Sequence, residues 1–134
     1  MNLLLVEDNA ADMRLLQVAF AECAPQVELR WAADADTALA ALRRSVPDLV
    51  LLDLNLPRIG GAELLAQIKG DPALVLVPVV ALTSSAARAD VVAAYRAHAN
   101  AYMLKPGSYD ECLVFVGRLL AYWSMAVLLP SRVQ

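Results

Sequence analysis

Short apolar runs alternate along this chain with longer segments of helical periodicity. Residues 3–6 are four apolar residues that end in two acids, Glu7 and Asp8, and residues 48–53 hold a second apolar run between two aspartates. Runs this short, without alternation, read as strands buried on both faces. Residues 78–83 form another, β-branched and bounded by Pro78 and Thr83, too short for a helix. Residues 27–31 alternate apolar with polar, the pattern of a strand with one wet face at a sheet edge. Residues 101–104 supply the fifth strand.

Helix-like segments with start signals lie between these runs. Asn9 precedes residues 10–23, Asp34 precedes residues 35–44, and Gly60 precedes residues 61–69. The fourth helix follows Ser84 and Ser85, and the fifth opens with Ser108 and Glu111 at capping-box spacing. The order is βα five times over. It predicts an α/β fold, a (βα)5 doubly wound five-stranded parallel sheet with right-handed crossovers and helices on both faces. A chain of 134 residues makes one domain, residues 1–134, and no separate output domain fits within it.

Composition narrows the classes. Hydrophobic residues at 60% and charged residues at 19% allow a sizeable core and argue against disorder. A formal charge of -3, with no cluster of Lys or Arg, excludes nucleic acid as the expected partner. Cys23, Cys112 and the single His98 can supply neither a disulfide framework nor a zinc site, so a reduced, cytoplasmic setting is expected. The first residues lack the features of a signal peptide. Residues 112–129 carry Arg118 as their only charge, close to the length of a membrane span. A span is not expected, because Arg118 near mid-bilayer costs about 2.5 to 3.5 kcal/mol and the segment must also cover the sheet.

Ligands of open parallel sheets sit at the carboxyl ends of the strands. Those ends carry Glu7 and Asp8 after the first strand, Asp53 after the third, Thr83 after the fourth and Lys105 after the fifth. Acids at strand ends are singly often N-caps or solvated loops. Five such groups at one edge are a site. Crowded carboxylates repel, and a hard divalent ion relieves that; Mg²⁺ accepts two or three carboxylates and leaves room for a phosphoryl oxygen. Asp53 can then act as a nucleophile on phosphorus, with Lys105 and the Thr83 hydroxyl neutralising charge on the equatorial oxygens.

At this point the chain resembles the receiver domains of two-component response regulators, the CheY-like family. The resemblance covers roughly residues 2–120 and rests on four motifs: Leu5-Val6-Glu7-Asp8-Asn9, Leu51-Leu52-Asp53-Leu54-Asn55-Leu56-Pro57, Leu82-Thr83-Ser84 and Tyr102-Met103-Leu104-Lys105-Pro106. It implies a flavodoxin-like sheet of strand order 2-1-3-4-5 and a phosphoacceptor rather than an enzyme, with only self-catalysed phosphoryl uptake and loss. It further implies that Asp53 takes a phosphoryl group from a phosphohistidine on a sensor histidine kinase. By the same resemblance Glu7, Asp8, Asp53 and the backbone carbonyl of Asn55 hold Mg²⁺, Thr83 and Tyr102 form a switch, and Lys105-Pro106 is a cis peptide. Residues 7–12, 54–58 and 69–72, with the end from Tyr122-Trp123 to Leu129-Pro130, are similar to stand-alone regulators that partner phytochrome-type kinases, which implies a bacteriophytochrome as partner.

Two readings of other classes compete. A phosphatase of the haloacid-dehalogenase type needs a second acid two residues after the nucleophile, where this chain has Asn55. A phosphorylation-independent docking module, a pseudo-receiver, is disfavoured because Glu7, Asp8, Asp53, Thr83 and Lys105 are all present. The chain departs from the family at His98, where receivers usually carry glycine, so His98 or Asn100 is expected to take a positive φ. Cys23 and Cys112 are expected to be buried small hydrophobes, and Trp31 reads as core or edge packing. A C-terminal helix from Tyr109 to about Leu129 would present two apolar faces, one for the sheet and one for a second copy, so a homodimer through that helix is expected.

Overall fold

The computed structural model describes residues 1–58 and 60–132. Five strands, β1 (Asn2–Val6), β2 (Glu28–Ala32), β3 (Leu49–Asp53), β4 (Val79–Thr83) and β5 (Ala101–Leu104), alternate with α1 (Ala10–Cys23), α2 (Ala35–Arg44), α3 (Gly61–Gly70), α4 (Arg88–Arg96) and α5 (Tyr109–Leu120). All pairings are parallel and the sheet order is β2-β1-β3-β4-β5. This is the doubly wound (βα)5 arrangement that the alternation predicts. The continuous apolar runs become the three inner strands, with β3 and β4 buried at every residue, and the alternating run becomes the edge strand β2.

Two apolar layers sandwich the sheet. Leu4, Val6, Val50 and Leu52 face α2 and α3 with Leu42, Leu64 and Ile68, whereas Leu3, Leu5, Leu49 and Leu51 face α1 and α5 with Leu16, Phe20, Phe115 and Leu119. The caps set the helix starts. Asn9 accepts from the Asp12 amide, Asp34 from the Thr37 amide and Ser108 from the Glu111 amide. Glu111 completes its half of the box one residue early, accepting from the Gly107 amide at 2.6 Å.

Several expectations change. The fourth helix starts at Arg88, three residues after Ser85, because the Ser85 hydroxyl bonds locally, accepting from the Ala87 amide and donating to Asp90. The C-terminal helix does not continue to Leu129. It ends as α-helix at Leu120, continues as a π-helical stretch over Ala121–Ala126, and turns extended at Val127. Pro130 disfavours helical geometry at Leu129, so a helix could not have run through that residue, but the change at Leu120 lies beyond its reach. The chain folds back, burying Leu129 and bonding the Ser131 hydroxyl to Asp48. Among the described residues no helix is long and apolar enough to cross a membrane.

His98 takes a positive φ of 73°, as its place at the end of the fourth helix requires, while Asn100 does not. Asn100 instead accepts from the Val79 amide and from Lys69, whose ammonium also reaches the carbonyls of Val75 and Val77. Cys112 is buried but Cys23 is exposed, a correction with a simple cause: α1 ends at Cys23, and Ala24 takes the next core position. Among the described residues no peptide bond is cis, so Lys105-Pro106 is trans. The Lys105 amide donates to the Thr83 carbonyl at 2.9 Å, and that rung aims the side chain without a cis bond.

Candidate functional site

The carboxyl edge of the sheet brings Glu7, Asp8, Asp53, Thr83 and Lys105 together. Glu7, Asp53 and Thr83 are the buried polar residues of the described core. The Lys105 ammonium lies 2.7 Å from Glu7 Oε1, 3.1 Å from Asp53 Oδ2 and 3.4 Å from Asp12 Oδ2. The contact to Glu7 is an ion pair without the alignment of a hydrogen bond, so this buried oxygen has no directed donor among the described residues. Glu7 Oε2 accepts from the Asn9 amide at 3.2 Å, and Asp53 Oδ1 accepts from the Asn55 amide at 2.9 Å.

Charge is crowded here. Burial, with Asp53 beside it, pushes the Glu7 carboxyl up to about 7 against the opposing attraction of Lys105. For Lys105 burial works the other way, but the carboxylates of Glu7 and Asp53 prevail and hold its pKa above the usual range. One ligand oxygen each from Glu7, Asp8 and Asp53 lies within 4.8 Å of the others. An all-oxygen donor set, a buried oxygen lacking a directed donor and one exposed member, Asp8, suit a hard divalent cation that keeps part of its water.

Residues 3–116 match the family described as the response regulator receiver domain. This chain belongs to that family. It is 40% identical over 127 residues to the probable methanogenesis regulatory protein FilR2 of Methanothrix harundinacea, covering 90% of this chain and 82% of that one. It is 38% identical over 136 residues to the response regulator Rcp1 of Synechocystis, covering 96% and 92%. Among solved structures it is similar to the phosphorylated cyanobacterial phytochrome response regulator RcpA, with a TM-score of 0.89, 39% identity and coverage of 96% and 97%. The Mn²⁺-bound form of Rcp1 matches with a TM-score of 0.85, 38% identity and coverage of 96% and 98%. Receiver domains bind Mg²⁺ or Mn²⁺ at an acidic pocket, and phosphorylation by a histidine kinase is the general mechanism of the family.

In this receiver Thr83 and Tyr102 meet on one residue. The Ser85 amide donates to Thr83 Oγ1 at 3.3 Å, and the Ser85 carbonyl accepts from the Tyr102 hydroxyl at 2.7 Å. A pocket of about 200 Å³, lined by Leu54, Leu65, Thr83, Ser85, Ala94 and Tyr102 among others, lies between α3 and α4 beside them. Gly61 makes the turn after Asp53 possible, since a Cβ there would stand 2.4 Å from the Asp53 carbonyl oxygen and 2.5 Å from Leu54 Cα.

Sequence reasoning missed three residues. Asp12 was legible only as part of a motif, although its place in the first turn of α1, four residues after Asp8, is a usable signal. Ser85 read as a helix start. Trp31 read as packing, and its indole N–H donates to the Glu7 carbonyl at 2.7 Å.

Proposed function

We propose that this receiver is a stand-alone, single-domain response regulator that accepts a phosphoryl group on Asp53 from a sensor histidine kinase. The observation that carries this reading is the buried Asp53 carboxylate, 3.1 Å from Lys105 and sharing an oxygen cluster with Glu7 and Asp8. A carboxylate oxygen of Asp53 forms the new bond to phosphorus as the bond from phosphorus to the donor histidine nitrogen breaks. Lys105 neutralises charge on the transferred group, and the Thr83 hydroxyl donates to it. Glu7, Asp8, Asp53 and the Asn55 carbonyl would hold Mg²⁺, which when bound screens the charge of the phosphoryl oxygens. The protein turns over no substrate of its own.

The output is a change of shape. If Thr83 turns toward the phosphoryl group, it releases the Ser85 amide, and the same residue's carbonyl anchors Tyr102. The likeness to Rcp1 and RcpA supports a phytochrome-type kinase as partner, and hence a cytoplasmic setting. A homodimer through the C-terminal helix is supported by the exposed Val114, Tyr122, Met125 and Leu128, an apolar surface that a second copy would cover. Light scattering at micromolar concentration should give a dimer mass, and Met125→Glu on the exposed surface a lower one; a monomer unaffected by the substitution rejects the dimer.

Incubation with Mg²⁺ and a small phosphodonor, followed by intact mass, tests the central reading. One phosphoryl group should add to the wild type and none to Asp53→Asn. Uptake by Asp53→Asn at the wild-type rate rejects Asp53, and no uptake by the wild type favours the docking-module reading.

A further inference from the structure

Trp31 lies on the edge strand with 41% of its surface exposed, where packing alone does little to fix an indole. Its Nε1–H nevertheless donates to the carbonyl of Glu7 at 2.7 Å. That carbonyl belongs to the peptide joining Glu7 to Asp8, the adjacent acids of the oxygen cluster.

The backbone explains why the carbonyl needs a partner. The Glu7 amide donates to the Ala32 carbonyl at 3.0 Å, the last rung between β1 and β2. A parallel ladder carried one step further would offer the Glu7 carbonyl an amide from beyond Ala32. The chain leaves the sheet there, because the Asp34 side chain accepts from the Thr37 amide to cap α2. The indole N–H fills the place of the lost rung. Asp8 itself is exposed, and its carboxylate makes no hydrogen bond among the described residues, so its backbone is what sets its direction.

We infer that Trp31 is a positioning residue for the cation site, its indole N–H fixing the Glu7-Asp8 peptide and thereby the directions in which the two carboxylates leave the chain. The inference rests on the proposed metal reading of that cluster. Outer partners that orient metal ligands typically contribute about 10-fold to 100-fold in affinity. Trp31 acts through backbone, which puts it at the low end, about 10-fold.

Trp31→Phe keeps an aromatic ring and removes the donor. Calorimetric titration with Mg²⁺ should show wild-type binding and about 10-fold weaker binding by Trp31→Phe, with the metal-free melting temperature nearly unchanged. In a Trp123→Phe background, where Trp31 is the sole tryptophan, saturating Mg²⁺ should alter its emission. Equal Mg²⁺ affinity in wild type and Trp31→Phe overturns the inference and leaves the metal reading intact. So does emission unchanged at saturation, or an affinity that falls only in step with the metal-free melting temperature. No Mg²⁺ binding by the wild type overturns both.

Discussion

Replacing Glu7 by glutamine should stabilise the metal-free protein, by an amount that grows with pH. Glu7 is fully buried, and its carboxyl is raised from the ordinary 4.5 to about 7 by burial and by Asp53, net of the attraction of Lys105. A folded-state pKa above the unfolded value means that the fold prefers the protonated acid. Stability from this group is therefore complete below pH 4.5, is lost as pH rises toward 7, and is constant above that. At about 1.36 kcal/mol per pH unit the full loss is about 3 kcal/mol. Glutamine cannot ionise, so the gain of Glu7→Gln over wild type should rise from under about 1 kcal/mol at pH 5 to about 3 kcal/mol at pH 8.5. Urea denaturation in EDTA at the two pH values measures it. Adding Mg²⁺ should narrow the gap at pH 8.5, because ligand binding stabilises the protein that holds it more tightly. A variant no more stable than wild type at pH 8.5, or a gap independent of pH, refutes the reasoning.

Gly61→Ala should destabilise by about 1 to 3 kcal/mol or more, since its Cβ would meet backbone atoms of Asp53 and Leu54 that cannot yield as side chains do; an unchanged urea midpoint counts against this. His98→Gly should stabilise by about 0.5 to 1 kcal/mol, because glycine adopts a φ of 73° without strain. Thermal denaturation checks it, and a lower melting temperature rejects it.

Much of the fold was legible because its signals are local. β1, β3 and β4 are buried on both faces, and only a continuous apolar run satisfies that. Asn9 and Asp34 fixed the starts of α1 and α2 to the residue because their side chains bond amides three residues on. Ser85 misled for a related reason: a serine can cap a helix or organise a loop, and only the position of Asp90 decides. The C-terminal segment shows a different limit. Apolar periodicity over residues 112–129 correctly marked burial on one face, but it carries no information about where the helix stops, which is at Leu120. The acids and Lys105 could be placed at one edge because parallel topology collects strand ends there. Asp12 could have been found from its place in the first turn of α1, whereas Trp31 reaches that edge through side-chain length and direction, which no spacing rule encodes.

The cost assigned to Glu7 bears on why such an edge is built into the end of a sheet. Three carboxylates that share oxygens within 4.8 Å, with Asp12 on the far side of one ammonium, would weaken a small domain seriously if they sat on a loosely packed element. Here they close β1 and β3, inner strands whose side chains fill both apolar layers and keep Glu7 and Asp53 buried. The repulsion that Lys105 leaves between the buried Glu7 and Asp53 is relieved by a proton, a cation or a new covalent bond at an acid. On the proposed reading each relief changes the charge that Lys105 and Thr83 would neutralise, and Thr83 reaches Tyr102 through the single residue Ser85. Electrostatic cost and capacity to signal thus have the same origin, and a substitution that removes the first, as Glu7→Gln should, is expected to diminish the second.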